Sequence, residues 1–289
     1  MLKQVDNLYH FTGGLTSLYS IIEHGFYPSY TKENLGERNI LVAMISFSNV
    51  LLRDIGDKEV LSYGSYALGF DRAWGISNHV NPVTYTFKDG ILYDAVNTFL
   101  FGSLFLHALE RYKDDFKHMS TNKIGPFSKL IHLTNTPPEV MDILDCLSTN
   151  YDENMFNAIM QYADMMYRSN LSVVALTKSY MVRDSQSREF VAYNDREWRK
   201  IYMNLNTILE ENPEYEKWSK TPKPHYPDPT LSLKFSLEDL KAILVSTSDE
   251  LISFTEYLKQ RFDRNNVEKR MADGSLIVGT QDDLIKAGL

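Results

Sequence analysis

Tyr193-Asn194-Asp195-Arg196-Glu197-Trp198-Arg199 places two acids, two arginines and two aromatics within seven residues. It follows a β-type run, Leu171-Ser172-Val173-Val174-Ala175-Leu176, and a polar connection from Lys178 to Arg188. If residues 190–202 are extended, alternation puts Tyr193, Asp195, Glu197 and Arg199 on one face. Arg196, Trp198 and Lys200 take the other. A carboxylate beside a guanidinium and a tyrosine suits a site that holds a cationic transition state. The same residues also make an ordinary solvated strand anchored by one tryptophan. The pattern leaves both readings open.

Upstream, Leu8-Tyr9-His10-Phe11 reads as a first strand broken by Gly13-Gly14. A short helix follows, capped by Thr16 or Ser17, with Leu18, Ile21 and Ile22 as its apolar face. Gly25 is its left-handed C-terminal stop, and Pro28 keeps it from resuming. Residues 39–50 are a continuous apolar run ending in Ser46-Phe47-Ser48, the pattern of a buried strand. In residues 62–70, Gly64 and Gly69 flank tyrosines, which leaves room for a flat ligand against a ring. Residues 71–75 form a turn or short helix, and residues 82–87 another strand, turned by Asp89-Gly90.

Residues 91–170 have a helical texture. Leu92, Val96, Phe99, Leu100, Leu104, Phe105 and Leu109 fit one helix, residues 139–147 a second, and residues 154–167 a third. Met155, Ile159, Tyr162 and Met166 line the third, a stripe expected to be core. Beyond the central stretch, residues 201–211 fit either a strand or a helix. Residues 218–230 are a Lys/Pro-rich loop. Residues 231–235 and 242–245 read as strands, with Ser236 capping a short helix between them. Ser248 caps an amphipathic helix running to Phe262. The tail after Arg264 is polar and expected to fray at its end. These elements predict an α+β fold: one domain over residues 1–289, with a mixed β core and residues 91–170 as a helical insertion.

A 289-residue chain that is 43% hydrophobic can bury a full core. With 30 basic against 38 acidic residues, its charge of −8 argues against broad adhesion to nucleic acid or anionic lipid. The single cysteine, Cys146, excludes an internal disulfide and a cysteine-rich zinc site, and its apolar neighbours predict a buried thiol. There is no secretory segment and no apolar run long enough for a membrane span, so a cytoplasmic location is expected. No phosphate-binding glycine loop, Rossmann fingerprint, zinc-protease motif or nucleophile elbow is present, and no metal is expected. The remaining chemistry must use His, Ser, Tyr, Glu and Arg spread over several strands.

Leu8-Tyr9-His10-Phe11-Thr12, followed by Ile21-Ile22-Glu23-His24-Gly25-Phe26, resembles the opening of ADP-ribosyltransferases. Ser46-Phe47-Ser48, a downstream tyrosine and the late Glu197 continue that resemblance. The ordered set Y-H-F-T, M-I-S-F-S, Y-G-S-Y-A-L-G-F, W-G, N-P-V, R-E-W-R and F-S-L-E-D-L-K-A-I-L-V resembles the AbiGi-type abortive-infection proteins of phage defence. This second resemblance spans most of the chain outside residues 91–170.

The transferase resemblance implies an ADP-ribosyltransferase-like fold and NAD as substrate. Glu197 and Tyr66 would be catalytic, and His10, Ser46, Tyr63 and Arg72 would bind NAD. Either Tyr63 or Tyr66 would stack on nicotinamide. Glu197 would stabilise the oxocarbenium-like ribose, and Arg72, Arg196 or Arg199 the phosphates. Asp195-Arg196-Glu197 departs from the Gln-x-Glu or Glu-x-Glu of arginine-modifying members, which favours nucleic acid, RNA above protein, as acceptor. The expected protein is then a phage-defence toxin held by an antitoxin, with a chaperone as a further partner. The AbiGi resemblance carries the alternative: a non-catalytic binding module or antitoxin.

Overall fold

The apolar run at residues 39–50 forms β3 (Arg38–Ser48), and the sheet is built on both of its edges. The computed structural model describes residues 7–35, 38–51, 63–98, 152–183, 189–202, 207–210 and 212–280, with single positions 114, 142, 145, 146, 149 and 205. On one edge, β3 pairs with β2 (Ser29–Leu35) and, at Ser48 alone, with β1 (Asn7–Thr12). On the other it pairs with β10 (Glu197–Ile201) and β11 (Ile208–Leu209). Beyond β1 the sheet continues through β4 (Tyr66–Asp71) and β12 (Leu240–Val245) to β13 (Ile277–Thr280); beyond β10 it ends at β5 (Asn81–Pro82). Every pairing in this sheet is antiparallel except β12 with β13.

The register assigns the two faces. Leu8, Phe47, Leu68, Phe70, Ile243 and Val245 point to one face, where they join Leu18 and Ile22 of α1 (Leu15–His24) in the main core. Phe254 and Leu258 of α5 (Ser248–Arg261) and Val267 of α6 (Arg264–Ala272) complete it. On the opposite face Tyr9, Ala67, Ala242 and Leu244 make a smaller cluster. Two-stranded pairs lie outside the sheet: β6 (Thr84–Thr86) with β7 (Thr177–Ser179), and β8 (Met181–Arg183) with β9 (Glu189–Val191).

The chain divides into two compact units, residues 1–88 with 175–289 and residues 89–174. All the described strands belong to the first. In the second, residues 91–98 are helical and α3 (Glu153–Ala175) is the long element. Of the helix expected over residues 139–147, positions 142, 145 and 146 are described and helical; its other residues, and most of the helix before it, lie outside the described residues. Cys146 is exposed, not buried.

Local chemistry accounts for several boundaries. Gly25 ends α1 at φ 79, and a Cβ there would lie 2.6 Å from the carbonyl oxygen of Leu233, so only glycine fits without strain. Gly14, not Thr16 or Ser17, holds the N-cap of α1. Asp71 caps α2 (Arg72–Ser77) by accepting the Trp74 amide. Thr247 and Glu250 form a reciprocal capping box on α5. In β4, a Cβ on Gly69 would sit 2.7 Å from the Tyr9 ring. The space expected for a ligand is therefore filled by Tyr9.

Other expectations are corrected. Residues 171–175 are the last turns of α3, so helix continuation overrides their β-branched composition. The strand predicted over residues 190–202 is interrupted: residues 190–191 end β9, and β10 starts at Glu197. Residues 192–195 form a 3₁₀ turn and Arg196 takes φ 43. Residues 231–235 contribute one bridge, Leu233 to Phe26. Residues 214–220 form α4, which takes up the start of the predicted loop. The polar tail after Arg264 forms α6 and β13 as far as Thr280, and its end, residues 281–289, lies outside the described residues. Asp263 caps α6, and the buried Arg270 guanidinium donates to the carbonyls of Leu237, Leu240 and Ser275. α5 and α6 then form the crossover that a parallel β12–β13 pair requires.

Candidate functional site

Because β10 alternates, Glu197 and Arg199 share one face and Trp198 and Lys200 the other. Trp198 packs on the main core. Arg199 is fully buried, at 0% exposure. A buried guanidinium must satisfy its donors within the protein, and this one does. Arg199 Nε donates to Glu197 Oε1 at 2.7 Å, and a terminal nitrogen donates to Glu197 Oε2 at 3.2 Å. The same terminal nitrogen lies 2.8 Å from Glu33 Oε1 on β2, and the other donates to the Ala175 carbonyl at 2.8 Å. Lys178 on β7 completes the cluster, with Nζ 2.7 Å from Glu197 Oε2. The Glu197 amide donates to the Tyr85 hydroxyl at 3.0 Å.

Two acids and two bases thus neutralise each other inside the fold. Burial works against charge on Glu197, but Arg199 and Lys178 together outweigh it and hold its carboxyl at about 2. Glu33 shifts the other way. Burial raises it, and its single contact to the guanidinium does not compensate. The difference is geometric, since Glu197 takes two guanidinium contacts and the ammonium. On acidification Glu33 therefore takes a proton first. Burial opposes the charge on Lys178, and Glu197 and Glu33 overcome it, so that its affinity for a proton rises.

The other candidate residues do not join this cluster. Tyr9 and Glu197 both pair with Ser48, so Glu197 shares the face of Tyr9 while His10 points to the opposite one. There the His10 ring packs edge-on against Phe26 and Phe47, with centroids 4.8 and 5.7 Å away. Its Nδ1 donates to the Ser46 carbonyl at 2.8 Å; since a carbonyl only accepts, the proton sits on Nδ1. The ring thereby fills the stretch of β3 edge between β1 and β2. Burial pushes its pKa down to about 4, so it is neutral near pH 7.

Ser46 shares the face of Arg199, and its hydroxyl donates to the Met44 sulfur at 3.4 Å. Tyr66, on the His10 face, donates its hydroxyl to Glu250 at 2.8 Å and so ties β4 to the cap of α5. Burial, followed by that carboxylate, raises its pKa. Tyr63 is exposed beside Phe11, at a centroid distance of 6.3 Å. Arg72 opens α2. The strands carrying His10, Ser46 and Glu197 are neighbours, but the side chains do not converge on one cleft. Glu33 and Lys178 were not singled out in the sequence: nothing in the strands that carry them marks a buried charge, and only the fold reveals their partners. Among the described residues, no His, Cys, Asp and Glu cluster is arranged to hold a metal ion. No helix among them is long and apolar enough to cross a membrane.

A family model described as "Putative abortive phage resistance protein AbiGi, antitoxin" matches residues 21–246. The chain belongs to the AbiGi family. No curated protein and no solved structure matches it. The AbiGi description corrects the expected function: a family described as an antitoxin of phage resistance does not fit a toxin that transfers ADP-ribose to RNA. It agrees instead with the alternative, a binding component of abortive infection. Both oxygens of Glu197 are engaged by Arg199 and Lys178. A carboxylate already neutralised in this way adds little stabilisation to a developing cation.

Proposed function

We propose that this chain acts as a non-catalytic antitoxin in abortive phage resistance, binding a cognate protein toxin and suppressing it. The observation that carries this reading is the closed ion cluster. Glu197, the group best suited by type to acid or electrostatic catalysis, is held at about 2 and committed to Arg199 and Lys178. The AbiGi description supplies the biological setting. A transferase-like scaffold without turnover is the finer fold proposal, supported by the adjacency of β1, β3 and β10.

Expression of the chain alone should leave growth unaffected. Co-expression should relieve the growth arrest caused by the product of the gene adjacent to its own. Purified chain incubated with NAD should release no nicotinamide. Growth arrest by the chain itself, or nicotinamide release lost in Glu197→Gln, would overturn the proposal.

A further inference from the structure

Among the described side chains of α3, one set of apolar residues is buried and another is exposed. Phe156, at 1% exposed, and Val174, also at 1%, mark the inner side. Roughly 100° round the helix, at 3.6 residues per turn, lie Met155, Ile159 and Tyr162, with Met165 at their margin. These four were expected to be core or are of core type, yet they are 46%, 37%, 62% and 55% exposed. The Met166 side chain lies outside the described residues. The four span an arc of roughly 120°, as wide as the stripe by which an amphipathic helix normally docks on a core. Scattered exposed apolar residues need no explanation, but a contiguous helical stripe marks an interaction surface. Its composition fits that role: methionine adapts to irregular surfaces, and tyrosine is enriched among residues that dominate binding energy.

Charge selects the occupant. Residues 89–174 contain 11 Asp and Glu against 6 Lys and Arg, so this unit supplies five of the chain's eight net negative charges. At the N-terminal end of the stripe Asp152 and Glu153 are exposed, and Asp152 caps the helix by accepting the Met155 amide at 2.8 Å. A second copy of the chain would bring like charge against like charge. Nucleic acid or an anionic membrane would be repelled in the same way. A protein with an apolar groove and a Lys/Arg rim is attracted by both components. Resting on the antitoxin reading, we propose that the Met155, Ile159, Tyr162 and Met165 face of α3 is the docking surface for the toxin, and that the toxin presents a basic rim around an apolar groove.

The test uses the full chain and the toxin that it neutralises. Tyr162→Ala and Ile159→Lys should each raise Kd roughly tenfold or more. Both sites are solvent-exposed, so circular dichroism and the melting temperature should not change. Ile252→Lys, at a 69% exposed position on α5, is the control and should bind as the parent does. Added salt should weaken binding of the parent chain. Neutralisation that survives both α3 substitutions unchanged would refute this interface and leave the antitoxin reading intact. A chain that neutralises no toxin would refute that reading and the interface with it. Sedimentation of the chain alone should show a monomer; a dimer dissolved by Ile159→Lys would assign the stripe to a second copy and overturn the proposal.

Discussion

Replacing Arg199 by Met tests the cluster that defines the central site. Methionine keeps the length and apolar bulk of the arginine stem but removes the charge and every donor. Glu33 then loses its 2.8 Å contact, Glu197 keeps Lys178 alone, and the Ala175 carbonyl loses a donor at 2.8 Å. Breaking a buried ion pair from one side costs about 3–5 kcal/mol, because the surviving charge stays desolvated. For a domain of this size each kcal/mol lowers Tm by about 2–4 °C, so a fall of roughly 10 °C is expected. Trp74, Trp198 and Trp218 all lie in the sheet-bearing unit. Urea unfolding followed by tryptophan fluorescence therefore reports on the right part of the molecule. Exchanging all four charged residues for neutral ones of similar size should recover most of the loss, since the pairwise attraction mainly offsets desolvation. A deficit below about 1 kcal/mol, the range of solvated surface pairs, would refute the view that these charges are sealed in the fold.

Two further outcomes follow from single hydrogen bonds. His10 titrates near 4 when folded and near its ordinary 6.5 when unfolded, so the unfolded chain binds the proton first. Stability present above pH 6.5 should therefore fall as pH drops towards 4, by about 3 kcal/mol at most; urea midpoints across that window should flatten in His10→Gln, and an unchanged pH slope would refute the assignment. Tyr66→Phe removes the 2.8 Å bond to the Glu250 carboxylate and should cost about 1–2 kcal/mol in urea unfolding; no measurable loss would mean that the bond does not tie β4 to α5.

Much of the sheet was readable because its strands are apolar on the faces they bury. Residues 39–50 and 242–245 announced β3 and β12, and Ser236 was marked by its capping chemistry. α6 was missed because it buries a single valine, and much of its anchoring comes from a buried arginine that answers three backbone carbonyls. A polar residue doing structural work leaves no hydrophobic period. The central stretch was misjudged for a related reason. Alternation placed Glu197 beside Arg199 correctly, but strand propensity says nothing about Glu33 or Lys178, which reach the cluster through pairing across the fold. The α3 stripe misled in the opposite sense, since helical spacing identifies an apolar face without saying whether the fold covers it.

The strand order also bears on where this chain can be cut. β1 lies between β3 and β4, yet it precedes the segment that the family match covers, and β13 follows it. A fragment of residues 21–246 would lack the strand that joins the two halves of the sheet. It would also leave β12, the run Leu240–Val245, without the neighbour that protects its outer edge. Such an unpaired apolar edge invites pairing with other molecules. The recognisable stretch of sequence and the smallest piece able to fold are therefore different objects, and expression boundaries belong outside residues 7 and 280.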